Sequence, residues 1–166
     1  MKLNNEEFKN IIDKTILFAF DFVVTYKKKI LLLKRNNSPA KNYWFVPGGR
    51  VFKNEKMKDA IARVLKNEIN ISDRNLLSLK IGGLYEHIYK KDNLFEDQSI
   101  DTHYIVQSIF IELKNIDKIK TDFQNSKLRF FSINEIKNSK NVHRFVKSYF
   151  ISNSKNKLNF SNAIKK

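Results

Sequence analysis

The stretch from Tyr43 to Ile71 limits most strongly what this chain can fold into. An aromatic run, Tyr43-Trp44-Phe45-Val46, is stopped by Pro47, passes through Gly48-Gly49 and gives way to an amphipathic segment that ends near Ile71. At about 100° per residue, Met57, Ala60, Ile61, Val64, Leu65 and Ile69 share one broad face, the pattern of a helix packed on a core. The sequence therefore predicts a short strand, a glycine turn, and a helix with Asn54 as N-cap and Glu55 near the positive end of its macrodipole. Glu68 falls near the middle of the apolar arc and in the last turn, where the macrodipole disfavours negative charge. Burying an unpaired carboxylate costs several kcal/mol, so Glu68 requires an arginine, a metal ion or an exit to solvent.

The 166 residues fit one domain, expected over residues 1–152, with a flexible tail over 153–166. The absence of cysteine excludes disulfides, thiol catalysis and Cys-ligated zinc, and suits a cytoplasmic location. The longest apolar run, Ile16 to Val24, is broken by Asp21 and too short to span a bilayer, so no membrane partner is expected. A net charge of +15 raises the question of nucleic acid. The lysines are dispersed, however, and no recognised DNA- or RNA-binding motif accompanies them. A smaller anionic substrate fits the charge equally well.

Around the central segment the pattern reads as a helix over Glu6–Lys14 and strands over Ile16–Tyr26, Ile30–Arg35, Leu76–Tyr89, Thr102–Leu113 and Leu128–Ile133. The Leu76–Tyr89 strand carries a break at Gly82-Gly83. A last helix has Val142, Phe145, Val146, Tyr149 and Phe150 as its apolar face. That order is an α/β sandwich rather than a regular βαβ array. Asp21, the single charge in the first strand, has two readings: an edge position facing water, or an acid directed at a site near the glycines.

Gly49, Glu55, Arg63 and Glu68 stand at the spacing of the Nudix box, G-x5-E-x7-R-E-U-x-E-E-x-G-U, with Val64, Asn67 and Asn70 where the box has Glu, Glu and Gly. Together with the run Tyr43-Trp44-Phe45-Val46-Pro47-Gly48-Gly49-Arg50-Val51, and with Leu33-Lys34-Arg35, Ser38-Pro39-Ala40, Thr102-His103-Tyr104 and Asn141-Val142-His143, this resembles the GDP-mannose mannosyl hydrolase branch of the Nudix superfamily. The resemblance implies a Nudix-type α/β/α sandwich with a mixed sheet, one central box helix, a C-terminal helix and a homodimer. It implies hydrolysis of a GDP-hexose at the anomeric carbon, giving GDP and free sugar. It also implies one Mg²⁺, or Mn²⁺ in its place, held by the Gly48 carbonyl, Glu68 and Gln124, an oxygen-only set that leaves room for diphosphate. Arg35, Arg50 and Arg63 correspond to positions that stabilise the leaving group or support the metal site. Tyr104 corresponds to a phosphate-contacting tyrosine, and Asp21 to an acid that opposes developing positive charge or fixes a nearby arginine.

The chain departs from this branch at Asn125, which stands where the branch has its histidine general base. An amide can orient water but cannot take a proton near neutral pH. Three readings follow: an enzyme slowed by the missing base, a catalytically impaired GDP-sugar binding or regulatory protein, or an enzyme for another nucleotide sugar.

Overall fold

The computed structural model describes residues 3–117, 119–120 and 125–159. Strand β1 (Leu17–Tyr26) is the one around which the others are arranged. Side chains alternate across a strand, so Phe20, Phe22 and Val24 enter the core beneath the box helix, while Ala19 and Val23 enter a second core on the opposite face. Both faces are covered, which is why β1 reads as a nearly unbroken apolar run. Asp21 shares the face of Ala19 and Val23 and is 6% exposed, so the edge reading of this residue is overturned.

A two-residue turn leads from β1 into β2 (Lys29–Arg35), with Tyr26 opposite Lys29. Lys27 and Lys28 both have positive φ, 47° and 63°, the mirror-image turn whose twist matches that of a hairpin. After the short strands β3 (Trp44–Phe45) and β4 (Gly48–Arg50) comes helix α2 (Met57–Ile69), then β5 (Leu76–Tyr89), β6 (Thr102–Leu113) and β7 (Asn125–Phe131). The sheet runs β3-β2-β1-β6-β5, with β4 paired to β1 and β7 to β2. β1 and β6 are parallel and the other strand pairs antiparallel, which makes the sheet mixed. On one edge of β1, β4 occupies Ala19–Asp21 and β2 occupies Thr25–Tyr26.

The helices cover both faces. α2 buries Ala60, Val64, Leu65 and Ile69 on one. Ile136 of α3 (Ile133–Asn138) and Phe145 and Val146 of α4 (Arg144–Ser148) pack on the other, giving the expected α/β/α sandwich. An N-terminal helix, α1 (Asn5–Lys14), is started by a capping box between Asn4 and Glu7 and sets Phe8 and Ile12 against Ile100. Among the described residues no helix is long and apolar enough to cross a membrane.

Several expectations shift. Gly48-Gly49 is not a turn but part of β4, and neither glycine has positive φ. α2 begins at Met57 rather than after Asn54, because Asn54 takes φ 65° in the preceding turn and Glu55 is drawn to Arg63. Met57 is 52% exposed and contributes little to the core. β7 starts at Asn125 and stops before Ser132, whose side chain caps α3 in a box with Glu135. The final helix is only Arg144–Ser148, preceded by a bridge between Trp44 and Val142. Gly82-Gly83 is a bulge within a continuous β5 rather than a break. Residues 153–159 lie along the outer edge of β5: Glu86 donates its N–H to the Asn156 carbonyl, and Leu158 donates to that of Leu84.

Candidate functional site

Site construction begins with the two glycines. A Cβ on Gly48 would lie 2.4 Å from Asp21 Oδ1 and 2.7 Å from the Phe20 carbonyl oxygen; one on Gly49 would lie 3.1 Å from both Val64 methyl groups. Glycine is required here for close approach, of β4 to β1 and of α2 to β4. The Phe22 N–H donates to Pro47 O and the Val51 N–H to Phe18 O, so residues 47 and 51 turn inward to β1. By strand alternation Gly48 and Arg50 turn their carbonyls outward. The Arg50 carbonyl does so visibly, accepting from Arg63 Nη2 at 2.8 Å.

Arg63 fixes this edge. Its guanidinium donates to both Glu55 carboxylate oxygens, at 2.6 and 2.8 Å, and lies 4.0 Å over the Phe52 ring. The Glu55 carboxylate also accepts the Phe52 N–H. Hydrogen bonding from Arg63 holds its pKa down at about 2. The folded pKa is depressed, so this contribution to stability is present above about pH 4.5 and is lost as pH falls toward 2. Arg63→Ala is expected to lose roughly 1.5–3 kcal/mol at neutral pH, with the deficit shrinking in acid, as read by urea titration at several pH values.

A cavity of about 570 Å³ lies beside this edge. Gly48, Arg50, Arg63, Glu68, Asp21, Arg35 and Tyr104 are among the residues that line it. Phe8 and Ile12 of α1 complete the wall, with the Arg50 guanidinium 3.7 Å from the Phe8 ring centre. Burial lowers the Arg50 pKa and raises that of Tyr104, whose phenol the charges of Arg50 and Arg35 pull back down. Arg35 Nε donates to the Pro39 carbonyl at 2.8 Å, which orients the guanidinium at the mouth of the loop after β2.

Asp21 is the deepest acid. Tyr149 donates its hydroxyl to Asp21 Oδ2, and His87 Nε2 lies 3.4 Å from the same hydroxyl. Burial pushes the Asp21 pKa up to about 7, against the opposing hydrogen bond from Tyr149 and the charge of Arg35. His87, stacked on Phe145 with centroids 4.1 Å apart, is pushed down to about 3 by burial and by the charges of His143 and Arg144, so it is neutral. A raised folded pKa favours the folded state at low pH, and that advantage disappears as pH rises through 7. Asp21→Asn should therefore gain melting temperature relative to the parent between about pH 4 and pH 8, which thermal scans across that range would read.

Asn125 does not line the cavity. It is 6% exposed, stands opposite Arg35 in the sheet, and donates its amide to Glu68 Oε2 at 3.4 Å. Gln124 lies outside the described residues. Of the nine residues singled out from the sequence, seven meet on one cavity and Asn125 stands behind one of the seven. Tyr149 and Phe8 were not among them. A tyrosine within an apolar stripe was the available signal for Tyr149, since a buried phenol needs a hydrogen-bond partner. Nothing local marked Phe8, because its partner Arg50 comes from a distant segment.

Among the described residues no three His, Cys, Asp or Glu side chains converge as a metal cluster. Glu68 and the outward carbonyl of Gly48 are nevertheless oxygen donors bordering the same cavity, a set that fits a hard cation such as Mg²⁺.

A model of the NUDIX domain matches residues 17–151. The low-salt glycan biosynthesis protein Agl8 of Haloferax volcanii is 34% identical over 131 residues, covering 78% of this chain and 80% of that protein. Among solved structures, a MutT protein from Methanosarcina mazei aligns with TM-score 0.61 at 19% identity over 83% of this chain and 92% of its own. A MutT NUDIX hydrolase from Burkholderia pseudomallei aligns with TM-score 0.63 at 16% identity over 81% and 95%. At such identities the structural likeness speaks for the fold alone.

Proposed function

The chain belongs to the NUDIX domain family, a family of hydrolases, and from that premise we propose that it hydrolyses a GDP-hexose of the GDP-mannose kind at the anomeric carbon, releasing GDP and free sugar. The observation that carries this reading is the charge balance of the cavity, where Glu68 and Asp21 are the lining carboxylates against the guanidinium groups of Arg35, Arg50 and Arg63. A site built to activate water at phosphorus gathers several carboxylates around metal. A site built to stabilise a departing diphosphate needs cations and one anchoring acid. The likeness to a glycan biosynthesis protein is consistent with a nucleotide-sugar substrate.

In the proposed reaction a water oxygen bonds to the anomeric carbon and the bond from that carbon to the diphosphate oxygen breaks. The electron pair leaves with GDP, and the proton passes to solvent. Arg35 and Arg50 take the diphosphate charge, because Arg63 is already committed to Glu55 and the Arg50 carbonyl. Tyr104 donates to a phosphate oxygen, and Asp21, once ionised, opposes the positive charge that grows on the sugar. Mg²⁺ bound by Glu68, the Gly48 carbonyl and Gln124 would supply further neutralisation of the leaving group. Asn125 acts by holding Glu68. The proposal includes a cytoplasmic setting, in keeping with the absence of cysteine, and a homodimer.

Incubation with GDP-mannose and Mg²⁺ followed by product separation tests the reaction. GDP and mannose support it, whereas GMP and mannose 1-phosphate would overturn it. The amide at Asn125 favours a second reading, binding without turnover, which would appear as Mg²⁺-dependent affinity and no products. Asn125→His is expected to raise kcat by no more than about 10-fold, far below the 10²–10⁴ of a well-placed base, because residue 125 is buried against Glu68 and does not line the cavity. Steady-state kinetics of the pair would read this.

A further inference from the structure

Tyr89 belongs to the wall of two concavities: the one already described, and a second of about 420 Å³. We propose that this second concavity binds a small phosphate-bearing anion, as a site separate from the first. Its size lies within the range of small-ligand pockets.

The charges around this hollow differ in whether they are already paired. Lys90 borders the concavity but is paired with Asp101 at 2.6 Å. Asp92 is the one carboxylate in its lining among the described residues, and its Oδ2 accepts the Ala40 N–H at 2.8 Å, which ties down two loops. Lys140 and Lys147 have no carboxylate within ion-pair distance among the described residues. Arg144 is positioned between them in sequence, donating to the Ile88 carbonyl at 3.4 Å and lying 4.9 Å over the Phe145 ring. Three cations outside any ion pair therefore share one hollow with a single carboxylate, Asp92, among the described residues.

The neutral groups point the same way. His143 Nδ1 accepts the Phe145 N–H at 3.3 Å, so the neutral ring carries its proton on Nε2 and offers a donor. Burial keeps that ring neutral, with its pKa lowered to about 4. Tyr43, 42% exposed, meets the His143 ring edge-on at 5.2 Å and presents a flat apolar surface beside the charges. Lysine is common over the whole of this chain, so charge alone would mean little. The combination of a hollow, donors and an exposed aromatic face suits a phosphate carried on a sugar or nucleoside.

The probe is inorganic pyrophosphate, titrated calorimetrically into the full chain in EDTA and again at raised NaCl. The expected result is a saturable, metal-independent, salt-sensitive binding event. Lys140→Ala/Lys147→Ala is expected to weaken it about tenfold or more, a loss of about 1.4 kcal/mol per decade, while turnover and the melting temperature stay unchanged. A single Lys140→Glu variant gives the same readout from an exposed position if the double variant melts early. Binding that survives these substitutions and disappears in Arg50→Ala would overturn the proposal, since the anion would then occupy only the first cavity. Affinity that grows with the length of an added oligonucleotide without saturation by pyrophosphate would also overturn it, in favour of a nucleic-acid surface.

Discussion

Gly48→Ala is expected to lower the melting temperature by roughly 3–12 °C, the consequence of about 1–3 kcal/mol of overpacking in a chain of this length. The added Cβ would meet Asp21 Oδ1 at 2.4 Å and the Phe20 carbonyl oxygen at 2.7 Å. The carboxylate cannot retreat freely, because its second oxygen is held by Tyr149. The carbonyl belongs to β1, which is paired to β6 along almost its whole length and cannot move alone. Relief must come from β4, whose displacement would carry Gly48 and Arg50 away from the cavity, so activity should fall with stability. Gly49→Ala provides the contrast. Its Cβ would meet only the Val64 methyl groups, at 3.1 Å, and α2 can yield by a few tenths of an ångström. Combining Gly49→Ala with Val64→Ala should cost less than the sum of the two single changes, since each supplies the space the other disturbs. Thermal melts of the four variants read both effects, and an unaltered melting temperature for Gly48→Ala would refute this account of β4.

The same glycines mark the limit of what the sequence reveals. Glycine usually signals a left-handed or turn conformation, and Gly48-Gly49 after Pro47 carried that expectation. Both glycines instead sit in extended backbone, selected for space against Asp21 and Val64, and space depends on strands far away in the chain. Local chemistry was readable elsewhere. The apolar run of β1, the apolar arc of α2 and the irregularity at Gly82-Gly83 follow from residue type and from periodicity alone. Asn70 replaces a glycine of the box, yet it closes α2 at φ 55°, a conformation asparagine tolerates, so this departure leaves the helix end intact.

What could not be read is what depends on tertiary pairing. Asn54 looked like a helix cap because the attraction of Glu55 to Arg63, which forms the turn before α2, crosses a full segment of helix. Residues 153–159 lacked any apolar pattern and gain their position from the exposed edge of β5. For Asp21, sequence offered a charge between phenylalanines, and only the second helical layer, through Tyr149, reveals why an acid is tolerated there. The site was legible as a set of residues because the resemblance supplied their names. The differing commitments of the three arginines were not: Arg63 is tied to Glu55 and the Arg50 carbonyl, and Arg35 holds the Pro39 carbonyl through Nε.

Glu68→Gln is expected to reduce kcat/KM by about 10³-fold, equivalent to about 4 kcal/mol of transition-state stabilisation, with little change in fold stability. The substitution keeps the shape and removes the charge, so it separates electrostatics from packing. Glu68 projects from the last turn of α2, where the helix dipole already disfavours a negative charge, and it borders a cavity rather than the core. In the proposed reaction the carboxylate at this position anchors a cation from outside the chain, a role that neighbouring Val64 and Asn67 have no charge to share. Removing its charge should even relieve the helix end slightly. Asn125, which donates to Glu68 Oε2, can donate equally to the glutamine carbonyl oxygen, so the surrounding network persists. Mn²⁺ titration followed by electron paramagnetic resonance should show weakened metal binding in the same variant. If metal affinity and turnover both survived while the melting curve stayed the same, Glu68 would not be the anchoring acid, and the charge balance of the cavity would have to be explained through Asp21 instead.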